Sequence, residues 1–160
     1  MMEIFLLRHG MAGRTRPGGS DADRELTEEG IEAVGRVATR ARAAHVVPSL
    51  ILSSTYARAA ETAAIAARVL GYQGRIERTA ALLPDASPFD AWEEIRAWAS
   101  DGQVLVVAHE PLLSSLAAFL LGVSALEVQM VAAAMVAISL EHAAIEPQGV
   151  LRWMITPLTA

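Results

Sequence analysis

Cysteine is absent from the 160 residues. That excludes disulfides, a thiolate nucleophile and a cysteine-held zinc, and it gives no sign of export to an oxidising compartment. Positive charge is in deficit, with 13 basic against 18 acidic side chains and a formal net charge of -5. General attraction to nucleic acid or to an anionic membrane is therefore not expected, and any anion site must be local. A long hydrophobic run is also missing. The most apolar stretch, "VQMVAAAMVAISLE", is interrupted by Gln129 and is too short for a membrane span. The opening carries Glu3 and only a short apolar run before Arg8, so it reads as a first strand and not as a signal peptide. A cytoplasmic, soluble protein is the expectation. What is abundant is apolar substance: 53% of residues are hydrophobic and 19% charged, the composition of a folded chain. Its length suits one domain over residues 1–160.

The hydrophobic period switches repeatedly between strand and helix. Residues 3–8 are predicted as a buried strand, followed by the irregular, glycine-rich loop "MAGRTRPGGSDADRE". A long helix follows. Thr27 is its N-cap, Glu28 and Glu29 sit in its first turn, and Ile31, Val34, Val37, Ala38 and Ala41 form its apolar stripe. "SLILSS" is a second strand, and "TYARAAETAAIAARVLG" an alanine-rich helix closed by Gly71. "RIERTAALL" offers another strand, "DASPFDAWEEIRAWAS" a turn and a helix, "QVLVVAHEP" a strand and "LLSSLAAFLLG" a buried helix. Two C-terminal strands joined by a polar turn complete the chain. The alternation predicts an α/β fold in three layers: a mainly parallel central sheet covered by helices on both faces, with a C-terminal strand pair. No linker divides it.

In such folds ligands gather beyond the carboxyl ends of the strands. The segment "EIFLLRHGMAG" ends its apolar run in Arg8, His9 and Gly10, and "QVLVVAHEP" repeats the pattern with His109. Arg8 and His9 point to opposite sides of an ideal strand, so both serve one site only if the chain turns there, as Gly10 permits. Arg58 lies at a helix start after the second strand, where free backbone N–H groups favour an anion and a guanidinium adds a bidentate contact. An alternative for Arg58 is a surface ion pair with Glu61. Together these residues point to a phosphoryl dianion held by arginines and flanked by histidines. Gly18 and Gly19 do not form a nucleotide P-loop, which needs a lysine and a following hydroxyl residue. Trp92 and Trp98 read as packing side chains on a helix and not as nucleic-acid platforms.

"LLRHG" at Leu6 to Gly10 resembles the signature of the histidine phosphatase, or phosphoglycerate mutase-like, superfamily. "LTEEG", "SSTYARAAET" and "VVAHEP" are similar to its further motifs and follow in the family order. The resemblance implies the phosphoglycerate mutase-like fold and a metal-independent hydrolase without cofactor. It implies that His9 is the nucleophile transiently phosphorylated by substrate, with Arg8, Arg58 and His109 binding the moving phosphoryl group. Neutral imidazole has the lone pair this needs, and guanidinium does not. The second arginine segment departs from the commoner form, which has proline after the serine and glutamine where Glu61 stands. Glu61 is expected to orient an arginine from the helix.

Many members use a carboxylic acid after the second helix. Here "LLPDASP" offers Asp85, with Asp90 and Glu110 as rivals; a phosphohistidine leaving group would demand less of an acid. Little in the stretch from Gly71 to Gln103 can build a lid, and this compactness makes the chain resemble the SixA-type phosphohistidine phosphatases. The implied substrate is a protein phosphohistidine or a small phosphomonoester. A metal hydrolase using the two histidines and a noncatalytic phosphate-binding module are the other classes. His45 and His142 read as surface residues, and Arg14, Arg16 and Arg24 as a solvated loop.

Overall fold

The computed structural model describes all 160 residues. Six strands, β1 (Met2–Arg8), β2 (Leu50–Ser54), β3 (Ile76–Thr79), β4 (Gly102–Ala108), β5 (Met135–Leu140) and β6 (Val150–Ile155), form one sheet in the order β3-β2-β4-β1-β5-β6. The first four run parallel to one another. β5 returns antiparallel to β1, and β6 antiparallel to β5. Four helices cover it: α1 (Glu28–Ala43), α2 (Ala57–Leu70), α3 (Pro88–Trp98) and α4 (Leu112–Leu120). The expected three-layer, mainly parallel architecture with a C-terminal strand pair is the one observed.

Alternation along the strands decides which helices cover which face. Ile4 and Leu6 of β1 and Val104 and Val106 of β4 pack with Trp92, Ile95, Leu113 and Leu116 from α3 and α4. Phe5, Leu7, Leu105 and Val107 point the other way, against Val37 and Ala41 of α1 and Ala59, Ala63 and Ala66 of α2. The alanine-rich face of α2 lets its backbone approach the sheet closely. Strands buried on both sides need no polar alternation, which is why β1 and β4 are continuous apolar runs.

Local signals place most helix ends. The Thr27 side chain accepts the Gly30 N–H, with Glu28 and Glu29 in the first turn. Gly71, at φ 73°, closes α2 in the left-handed region where a side chain would be strained. Ile31 departs from its predicted place. It is 42% exposed, and Gly30 takes the buried position instead, because that turn packs on the loop after β1. Only Ile76–Thr79 of the third predicted strand segment is extended; Ala80–Leu82 winds into a 3-10 turn. Trp92 is fully buried and donates its indole N–H to the Ala144 carbonyl at 2.8 Å, whereas Trp98 is half exposed. No helix is long and apolar enough to cross a membrane.

Candidate active site

The site lies at the carboxyl edge of the sheet. Arg8 closes β1 opposite Ala108 of β4 in parallel register. The following residues of these adjacent strands are His9 and His109, and parallel neighbours run about 4.8 Å apart. Their ring centroids are accordingly 5.0 Å apart. One hundred residues of sequence separation are cancelled by a single strand pairing. Alternation carries Arg8 toward the α3–α4 face, where its Nη1 donates to the Met130 carbonyl at 2.7 Å. Arg58 comes from the other face, on the first turn of α2. His9, His109 and Arg58 meet at this edge, and Arg8 stands at the end of the strand that leads into His9.

The loop that turns the chain after His9 is held by small residues. A Cβ on Gly10 would stand 2.8 Å from the Gly30 carbonyl oxygen and 2.9 Å from Val34 Cγ2, and one on Gly30 would run into the Met11 carbonyl. Gly10 and Gly30 therefore let the loop after His9 and the start of α1 pack backbone to backbone. Thr62 ties the same loop to α2: its Oγ1 accepts the Gly10 N–H at 3.1 Å and donates to the Arg58 carbonyl at 2.7 Å. The His9 N–H donates to the Ala108 carbonyl, and the Ala133 N–H to the His9 carbonyl. The His9 backbone is held from β4 and from the loop before β5, and the next residue, Gly10, from α2.

The ring of His9 is held as firmly. Its Nδ1 lies 2.7 Å from the Gly10 carbonyl oxygen. A carbonyl only accepts, so Nδ1 carries the proton and Nε2 the lone pair. Arg58 Nε donates toward that lone pair at 3.3 Å. Burial, assisted by the charges of Arg58, Arg8 and Arg24 against the raising effect of the Gly10 hydrogen bond, lowers the His9 pKa to about 4. At neutral pH the ring is uncharged, with its lone pair on Nε2.

His109 is buried, 1% exposed, and its pKa is pushed down to about 3 by burial, then by His9 and Arg58. Its Nε2 lies 2.7 Å from Ser54 Oγ, which also accepts the Tyr56 backbone N–H. The hydroxyl proton of Ser54 is therefore available to Nε2, leaving Nδ1 as the N–H of the neutral ring. That Nδ1 has no protein partner, and neither does Arg8 Nε, also buried. Each orphaned buried donor costs about 1–3 kcal/mol, a penalty that an anion accepting both would relieve. Tyr56 stands between His109 and Arg58, its ring edge-on to His109 at 5.3 Å and beneath the Arg58 guanidinium at 4.9 Å.

Arg58 is 5% exposed and pairs with Asp21, not with Glu61. Its Nη1 donates to the Asp21 carbonyl at 2.8 Å and its Nη2 to Asp21 Oδ2 at 3.1 Å. Arg24 holds the other carboxylate oxygen at 2.9 Å and reaches back to the Gly13 carbonyl at 2.7 Å. Glu61 instead accepts the Leu26 N–H at 3.4 Å, and its burial raises its carboxyl pKa; it orients the loop, not an arginine. Asp21 escaped the sequence reading. Its one local signal is the Ser20-to-Asp23 capping pattern of a 3-10 turn, Asp21–Asp23. Arg16 pairs with Glu25 on the exposed outer side of the loop.

Asp85 sits in the turn before α3, exposed and without a hydrogen-bond partner. Asp90 is exposed on the first turn of α3, and Glu110 accepts the Ser114 N–H at 2.9 Å, capping α4. No group of three or more histidine, aspartate or glutamate side chains is gathered at metal-binding distances.

The model of the histidine phosphatase superfamily, branch 1, matches residues 4–82. An uncharacterized protein of Picosynechococcus sp. is 33% identical over 111 residues, spanning 69% of this chain and 67% of that one. The chain belongs to the histidine phosphatase superfamily. In fold it is similar to the protein histidine phosphatase SixA solved with tungstate, with TM-score 0.86, 23% identity and 98% of each chain covered. It is likewise similar to the Agrobacterium tumefaciens protein named SixA, with TM-score 0.81, 24% identity and 97% of each covered. Membership supports phosphatase activity and the hydrolase class; the substrate does not follow from it.

Proposed function

We propose that this histidine phosphatase removes phosphoryl groups from protein phosphohistidine through a phosphorylated His9. The observation that carries the nucleophile is the ring of His9, whose proton is fixed on Nδ1 by the Gly10 carbonyl while an unprotonated Nε2 faces Arg58. Nε2 attacks phosphorus as the substrate N–P bond breaks, and the electron pair goes to the leaving imidazole. A leaving ring that enters protonated on its other nitrogen departs neutral. Water then attacks the phosphorus, gives up a proton to solvent, and the pair of the second N–P bond returns to Nε2. Arg8 Nε, Arg58 and the His109 Nδ1–H are the donors for the phosphoryl oxygens, whose charge they stabilise as the group moves.

The choice of a nitrogen leaving group rests on the carboxylates. Among the strongest charge influences on the two histidines, Asp21 is the one acid. Hydrogen bonding from Arg24, then from Arg58, holds that carboxyl below its ordinary range, so it is ionised and has no proton to give. An alkoxide leaving group needs such a proton; an imidazole does not. The fold supports the same reading, since it is similar over 98% of each chain to that of the protein histidine phosphatase SixA.

The test is a rapid quench without acid, followed by mass spectrometry of His9, on a panel of phosphohistidine protein, small phosphomonoesters and phosphoglycerates. Phosphate release with transient label on His9 and preference for the phosphohistidine protein are expected. Turnover without that label would refute the nucleophile, and preference for an alcohol ester would refute the substrate. Binding without release would make the chain a phosphate-binding module. Undiminished turnover after rigorous chelation is expected, and loss restored by a divalent ion would overturn the metal-free mechanism.

A further inference from the structure

We infer that Asp21 is a specificity-determining residue that disfavours substrates carrying a second negative charge beside the phosphoryl group. The inference deepens the proposed phosphatase reading but stands on binding alone.

The geometry comes from one guanidinium. Arg58 Nε lies 3.3 Å from His9 Nε2, and the Nη2 of the same planar group lies 3.1 Å from Asp21 Oδ2. The carboxylate is thus hydrogen-bonded to the same guanidinium as the nitrogen that takes the phosphorus. It is also at the mouth of the site: the Asp21 side chain is 58% exposed while Arg58 is 6% exposed. Arg24 fixes it on the other oxygen, so the carboxylate cannot swing away without losing two bonds, and the Asp21 carbonyl, which takes Arg58 Nη1, anchors the backbone beneath it.

The charge count agrees. The ionised groups acting most strongly on the histidine pair are Arg8, Arg24, Arg58 and Asp21. Three guanidiniums and one carboxylate leave a net charge of plus two, which a phosphoryl dianion neutralises. A further carboxylate or phosphate next to that dianion finds Arg58 and Arg24 already paired with Asp21 and meets the Asp21 carboxylate there. The phosphoryl group of a phosphohistidine ring, flanked by an imidazole, brings no such charge. Asp21 also positions Arg58, so its loss is expected to weaken all ligands somewhat; discrimination is the separate readout.

The experiment measures dissociation constants of phenylphosphonate and 3-carboxyphenylphosphonate by calorimetry at low salt, for the full chain and its Asp21→Asn and Asp21→Glu variants. The unmodified chain is expected to bind the carboxylated ligand roughly 3- to 10-fold more weakly, the size of one like-charge interaction near a protein surface. Asp21→Asn should bring that ratio close to one even if both constants rise, and Asp21→Glu should keep the discrimination. Equal binding of the two ligands by the unmodified chain, or the same ratio in Asp21→Asn, would overturn the inference and leave Asp21 as a positioning residue only. Neither ligand is turned over, so the outcome is independent of whether His9 is phosphorylated.

Discussion

Replacing Thr62 by valine removes one hydroxyl and leaves the shape of the side chain nearly unchanged. Thr62 is completely buried, and its Oγ1 is the acceptor for the Gly10 N–H at 3.1 Å. No water can replace the lost hydroxyl in the valine shape, so the Gly10 N–H is left unpaired at a cost of about 1–3 kcal/mol. For a chain of this size that corresponds to a fall in Tm of about 2–12 °C. The catalytic effect should exceed the stability effect, because the released bond is one residue from His9 and also joins the nucleophile loop to the Arg58 backbone. A misplacement of the nucleophile near 1 Å costs on the order of 100-fold in rate. Thr62→Val is therefore expected to lower kcat by about 10- to 100-fold with a smaller change in KM. Thr62→Ser, which keeps the hydroxyl, should restore most of the loss. Thermal unfolding and steady-state turnover of a phosphohistidine peptide check both halves. A valine variant within twofold of the parent in kcat and within a degree in Tm would refute the idea that this hydroxyl sets the geometry of His9.

The histidine pair makes two statements about pH. The unfolded chain protonates each ring near 6.5, whereas the folded chain does so only near 4 for His9 and 3 for His109, so the unfolded state binds more protons as pH falls below about 6.5. Stability should decline steadily over that window in denaturant titrations, and His9→Ala should flatten part of the slope; an unchanged slope would contradict the depressed pKa. The acid limb of kcat/KM should accordingly lie near 4 and not near 6.5, which a pH profile reads directly. Asp85 is exposed and unpaired. Asp85→Asn is expected to leave phosphohistidine turnover within about twofold while reducing phosphomonoester turnover further, and a large loss with both would identify it as the general acid.

The layers, the succession of helices and strands, and the gathering of the two histidines were legible because each depends on patterns that the sequence displays locally. Apolar runs broken by charge mark where β1 and β4 leave the sheet, and the sheet itself then brings His9 to His109. What stayed hidden belongs to partners chosen in three dimensions. Nothing near Arg58 in sequence distinguishes Asp21, 37 residues away, from Glu61, three residues along the same helix. Burial decides it, because Arg58 turns inward under the loop while Glu61 stays at its rim. Ile31 and Gly30 show the same limit: hydrophobicity alone favours Ile31 for the core, but the backbone contact with Met11 requires a residue without a side chain there. Ser54 and Tyr56 lay inside a quoted motif, yet their roles against His109 appear only once β2 is set beside β4.

The pairing of β1 with β4 carries a consequence for how such a site can change. The distance between the two histidines is a repeat of the sheet, fixed by backbone hydrogen bonds running the whole length of both strands. The segments that hold the arginines at the strand ends are instead loops: the turn bearing Asp21, which pairs with Arg58, and the segment leading into β5, whose Met130 carbonyl takes Arg8. Insertions or exchanges there leave the spacing of the reacting pair untouched. Chemistry and recognition are thus inherited separately, and redesign for a new phosphorylated partner can proceed by grafting loops while the strand ends are left alone.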